Sequence, residues 1–122
     1  MVKKILIIED EKILADMYKE KFELAGFKVS LAIEAKEGLI LAKKEKPDLI
    51  LLDILLPKEN GIFFLEKRGE IPEISSTPVV AFSNYDDPLI KERAKELGVK
   101  DYLIKTDFTP EEIVNKIKEY LA

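Results

Sequence analysis

Four consecutive residues, Leu49-Ile50-Leu51-Leu52, carry no polar side chain, and an aspartate stands at each end, Asp48 and Asp53. A strand sends successive side chains to opposite faces, so this run has no face suited to water. It reads as a strand covered on both sides, which is the situation in parallel sheets sandwiched between helices. A second run, Ile5-Leu6-Ile7-Ile8, has the same character and ends in the acidic pair Glu9-Asp10. In open parallel sheets ligands gather at the carboxyl ends of the strands. Two strand ends are thus predicted to bring three carboxylates together.

The rest of the chain alternates strand-like and helix-like segments. Lys3 to Ile8 is the first predicted strand, and Leu14, Met17, Tyr18, Phe22 and Ala25 recur with helical spacing up to Gly26. Phe27-Lys28-Val29-Ser30-Leu31 alternates apolar and polar residues, as a half-exposed edge strand does. Ala35, Gly38, Leu39 and Ala42 mark a second helix closed by Lys46-Pro47. Asp48 to Asp53 follows as the third strand, then the turn Asn60-Gly61 and a short third helix through Leu65. Pro78 to Ser83 is the fourth strand; Leu89, Ile90, Ala94 and Leu97 give a fourth helix ended by Gly98. Tyr102-Leu103-Ile104 is the fifth strand. Thr109-Pro110-Glu111-Glu112 starts the last helix, with an N-cap threonine, a first-turn proline and acids against the dipole. Five βα units without repeats or linkers predict an α/β fold: one domain over residues 1–122, a doubly wound parallel sheet of order 2-1-3-4-5.

Composition narrows the chemistry. The 122 residues contain no histidine and no cysteine. Disulfides and thiolate zinc sites are excluded, and so is an imidazole general base. A metal would have to be a hard, oxygen-bound cation such as Mg²⁺. A net charge of -4 argues against nonspecific nucleic-acid binding. No segment is long and apolar enough to span a membrane, and the amino-terminal run is too short for a signal peptide, so a cytoplasmic location is expected.

Singly, Glu9, Asp10 and Asp53 are ordinary strand ends or helix-capping acids. Jointly, at neighbouring strand ends, they form an oxygen site suited to Mg²⁺. Lys105 follows the fifth strand on the same edge of the sheet, where an ammonium group can meet a phosphate. Ser83 ends the fourth strand and offers a hydroxyl, and Tyr102 combines a core aromatic with a polar tip.

Glu9-Asp10, Asp53 with Pro57 and Gly61, Ser83, and Tyr102-Leu103-Ile104-Lys105 together resemble the receiver domain of two-component response regulators, over the whole chain and in the family's order. The resemblance implies a flavodoxin-like (βα)5 fold. It implies phosphorylation of Asp53 by the phosphohistidine of a sensor histidine kinase or histidine phosphotransfer protein. It also implies Mg²⁺ held by Glu9, Asp10, Asp53 and the backbone carbonyl of Leu55. Lys105 would pair with the acceptor and its phosphoryl group. Ser83 and Tyr102 would form a switch, read by a downstream protein on the fourth helix, fifth strand and fifth helix. Catalysis would be limited to the domain's own phosphorylation and slow dephosphorylation. With one domain's worth of chain, output is expected through binding, unless the sequence is a piece of a longer regulator.

The chain departs from the family at three places. Thr106 follows Lys105 where receivers usually have a proline in a cis peptide; without proline the cis form costs about 2.5–4 kcal/mol. Either that strain is held or the peptide is trans, and in both cases Lys105 is expected to point at Asp53. Asn84 follows the switch serine where a smaller residue is usual. Leu55 is apolar where groups that position water often stand. These departures suggest a long-lived phosphoaspartate. Other readings carry different expectations. An FMN-binding electron carrier shares the sheet order, but the Glu9-Asp10-Glu11-Lys12 loop would repel phosphate. A phosphohydrolase would want a general acid at Leu55. A receiver-like scaffold would take no phosphate at all.

Overall fold

The computed structural model describes residues 2–122. Five strands alternate with five helices: β1 (Lys4–Ile8), α1 (Lys12–Leu24), β2 (Lys28–Ala32), α2 (Ala35–Glu45), β3 (Leu49–Leu52), α3 (Gly61–Gly69), β4 (Val79–Ser83), α4 (Pro88–Glu96), β5 (Asp101–Ile104) and α5 (Pro110–Leu121). All strand pairs are parallel, and the order is β2-β1-β3-β4-β5. This is the flavodoxin-like arrangement expected from the sequence.

Strand alternation divides the core into two layers. Leu6, Ile8, Ile50, Leu52, Val79 and Ala81 face one way and pack with residues of α2, α3 and α4, including Ala42, Phe64 and Ala94. Ile5, Ile7, Leu49, Leu51, Val80 and Phe82 face the other way, against Tyr18 and Phe22 of α1 and Ile113, Val114 and Ile117 of α5. The apolar runs of β1 and β3 are continuous because each supplies both layers. β2 lies at one edge of the sheet, in keeping with its alternating pattern.

Most boundaries shift by one or two residues from the sequence reading. α3 is the larger correction: it runs to Gly69 rather than ending at Leu65. Its buried face continues past Phe64 and Leu65 through Arg68, whose Nε and Nη2 both donate to the Thr77 carbonyl, at 3.2 and 2.6 Å. A buried guanidinium carries no apolar signal, so hydropathy alone stops the helix early. Beyond it, residues 71–77 form turns anchored by the buried Ile74. Gly26 and Gly98 follow α1 and α4 with φ of 97° and 94°, the left-handed conformation that ends a helix without Cβ strain. α5 begins with a complete capping box between Thr109 and Glu112.

Candidate functional site

The parallel register sets the strand ends side by side. Ile8 pairs with Leu52, so the next residues, Glu9 and Asp53, leave adjacent strands at the same level. The Asp53 N–H donates to the Ile8 carbonyl at 3.0 Å, and the Glu9 N–H to the Ala32 carbonyl at 2.9 Å. Both acids are therefore fixed by backbone bonds that extend the sheet past its last formal residue. Glu9 and Asp53 are buried, whereas Asp10 is exposed.

One carboxylate oxygen from each of Glu9, Asp10 and Asp53 lies within 4.8 Å of the others. The donors are all oxygens, two come from the interior and one faces solvent. Such a set fits a hard, oxygen-bound divalent cation that keeps part of its water shell, such as Mg²⁺. Lys105 reaches the same acids from beyond β5, across the end of β4. Its Nζ donates to Asp53 Oδ2 at 2.9 Å and also to Glu9 Oε1. The expected aim of Lys105 at Asp53 is thus observed. Asp53 Oδ1 accepts the Leu55 N–H at 3.1 Å, and Glu9 Oε2 accepts the Glu11 N–H at 3.1 Å.

Burial dominates the electrostatics. It pushes the Glu9 carboxyl above its ordinary value, against the opposing pull of the Lys105 hydrogen bond. The same burial pulls the Lys105 ammonium down, but its bonds to Glu9 and Asp53 together outweigh that and leave it raised. The lysine is thus held charged beside Asp53.

Gly61 explains how the loop after β3 can close over this centre. Its N–H donates to the Ile54 carbonyl at 2.8 Å. A Cβ there would lie 2.8 Å from the Asp53 carbonyl oxygen and equally close to Ile54 Cα and Cδ1. Only glycine lets α3 begin against the backbone of Asp53 and Ile54. Asn60 caps the helix at the same point by accepting the Phe63 N–H at 3.1 Å.

Ser83 and Tyr102 lie on the α3–α4 side of the sheet: Ser83 continues the Val79–Ala81 face, and Tyr102 packs on that layer. Ser83 is fully buried and its Oγ accepts the Tyr85 N–H at 3.2 Å. The Tyr102 hydroxyl donates to the Tyr85 carbonyl at 2.6 Å. Burial first, and then the Asp53 charge, push its phenol up to about 12. Leu55, by contrast, is 52% exposed two residues past Asp53. The Lys105–Thr106 peptide is trans, as are all described peptides. The Thr106 N–H donates to Asn84 Oδ1 at 3.1 Å. Asn84 and Thr106 each stand out in the sequence, but their contact does not: they are far apart in the chain, and only the adjacency of β4 and β5 joins them.

Comparison with known proteins agrees with this geometry. Residues 5–118 match the response regulator receiver domain family. The chain is 34% identical over 121 residues to the alkaline phosphatase synthesis transcriptional regulatory protein PhoP of Bacillus subtilis (strain 168), covering 99% of this chain but 49% of that regulator, so it spans about half the relative's length. A CheY-like receiver domain protein from Methanospirillum hungatei JF-1 superposes with a TM-score of 0.90 at 30% identity, over 99% of this chain and 94% of that one. A response regulator from Chloroflexus aurantiacus J-10-fl gives 0.88 at 29% identity, over 99% and 98%. The chain belongs to the response regulator receiver domain family.

Proposed function

We propose that this chain is the phosphoacceptor module of a two-component phosphorelay, with Asp53 as the acceptor. The observation that carries the reading is the convergence of the Glu9, Asp10 and Asp53 oxygens at one end of the sheet, with the Lys105 ammonium group bonded to Glu9 and Asp53. An Asp53 carboxylate oxygen attacks the phosphorus of a phosphohistidine on a kinase or phosphotransfer protein. The P–N bond breaks, and its electron pair stays on the imidazole nitrogen. Two anionic groups must meet in this step, so positioning and charge neutralisation supply most of the catalysis. Glu9, Asp10, Asp53 and the Leu55 carbonyl are the groups that would hold Mg²⁺, whose role is to neutralise phosphoryl charge. Lys105 contributes a second positive charge, already bonded to the acceptor.

Phosphorylation replaces one carboxylate charge by a larger anion with more acceptor oxygens. Ser83, buried at the end of the neighbouring strand, supplies a hydroxyl donor to them. Tyr102 lies on the same side of the sheet, bonded to the loop that follows Ser83, so a shift of that loop is felt at the surface of α4, β5 and α5. A downstream protein reads that surface. Treatment with a small phosphodonor and Mg²⁺, followed by intact mass measurement, tests the proposal. Wild type should gain one phosphoryl group and Asp53→Asn none. No gain in wild type would favour a receiver-like scaffold without phosphotransfer.

A further inference from the structure

One hydrogen bond folds the loop after β4 back on Ser83, and two more tie that loop to β5 and to the turn that follows it. The Ser83 hydroxyl accepts the Tyr85 N–H, the Tyr85 carbonyl accepts the Tyr102 hydroxyl, and Asn84 Oδ1 accepts the Thr106 N–H. The third bond differs from the others in what it holds. Thr106 is the residue after Lys105, within a single 3-10 turn from Lys105 to Asp107. Lys105 must cross the end of β4 to place its amine on Asp53 and Glu9. The direction of its side chain is set by the backbone of this turn. The turn's other backbone anchor is local, the Phe108 N–H donating to the Lys105 carbonyl at 3.2 Å. The Asn84 side chain is a long-range one, and it comes from the residue next to Ser83.

We infer that Asn84 is a positioning residue for Lys105, acting through the Thr106 backbone N–H, and that Asn84 and Thr106 work as a pair. Thr106 is suited to this because it retains an N–H, which proline lacks. Asn84 is suited because an amide oxygen on a short side chain reaches across one strand spacing, while alanine or serine would fall short or reach less far. A consequence is that the loop carrying Ser83 and the turn carrying Lys105 are joined mechanically. A displacement of Ser83 towards a phosphoryl group pulls on the same turn that holds the lysine. The inference rests on Asp53 being the acceptor for its kinetic arm, and on geometry alone for its structural arm.

The structural arm is hydrogen exchange of the Thr106 amide in the unphosphorylated protein. Asn84→Ala should speed that exchange about two- to tenfold, the range of one modest hydrogen bond. Asn84→Asp, which keeps the acceptor oxygen, should restore protection. The kinetic arm is the rate of phosphorylation with acetyl phosphate and Mg²⁺. Asn84→Ala should slow it by a similar factor, and the double variant with Thr106→Pro should be no slower than the slower single variant, because both remove the same bond. Unchanged Thr106 exchange in Asn84→Ala would overturn the inference. So would failure of Asn84→Asp to restore protection, or additive rate losses in the double variant. If wild type takes no phosphoryl group, the acceptor reading fails, while the exchange measurements still decide the role of Asn84.

Discussion

The buried ends of β1 and β3 hold Glu9 and Asp53 against a single ammonium group, and the character of each residue there follows from its partners. Lys105 is buried yet charged because two carboxylates accept hydrogen bonds from its ammonium group. Tyr102 is a different case. Its phenol is pushed up to about 12, with burial the largest cause. The charged form is disfavoured in the folded state, so the native protein keeps this proton after the unfolded chain loses it. Stability should therefore fall as pH rises from about 10, the unfolded value, through 12. Tyr102→Phe should weaken that alkaline dependence, which urea titrations across this pH range would measure. With Asp53 as the proposed acceptor, Leu55 would bear on the lifetime of the phosphorylated state. Its side chain stands exposed beside Asp53 and offers no group to orient water. Leu55→Asn should accelerate phosphoaspartate decay severalfold, followed by intact mass; an unchanged rate would dismiss Leu55 as the cause of a long lifetime.

At the scale of elements, the loop between β3 and α3 is tightly constrained where it meets the helix. Gly61 lets the helix start against the Asp53 and Ile54 backbone, and Asn60 caps it there. Gly61→Ala should destabilise the fold by about 1–3 kcal/mol, the ordinary cost of forcing extra volume into packed structure. Because the added methyl meets the carbonyl of Asp53, the proposed acceptor, phosphorylation should fall as well, even where the variant remains folded. Urea unfolding together with the phosphodonor assay would separate the two effects. A variant with full stability and full phosphorylation would show that the loop relaxes freely. α3 also teaches a limit of pattern reading. Its last turn is held by Arg68, whose guanidinium spans to Thr77 and fixes the route of the chain into β4.

Across the whole molecule, the parallel sheet gathers acids from two strands and a lysine from beyond a third. Glu9, Asp10 and Asp53 repel one another, and Lys105 offsets only part of that. Mg²⁺ should thus raise the melting temperature, with a gain of about 2.7 kcal/mol when its concentration is a hundred times Kd. Asp10→Asn should raise the melting temperature without Mg²⁺, since it removes one repelling charge. It should also shrink the gain on adding Mg²⁺. Scanning calorimetry with and without the ion checks both; equal gains in wild type and variant would remove Asp10 from the proposed metal site.

The five βα units, the sheet order and the acids at the ends of β1 and β3 were legible in the chain, because burial leaves its pattern locally. Unbroken apolar runs mark strands covered on both faces, helical spacing marks one covered stripe, and a charge at the end of such a run marks where the sheet meets solvent. The same logic made Lys105 readable as a strand-end residue. It could not show that Lys105 bridges both Glu9 and Asp53, that Arg68 belongs to the interior, or that Asn84 meets Thr106. Those contacts depend on strand order and on register. Polar contacts between distant residues carry no periodicity, so only the assembled fold decides them.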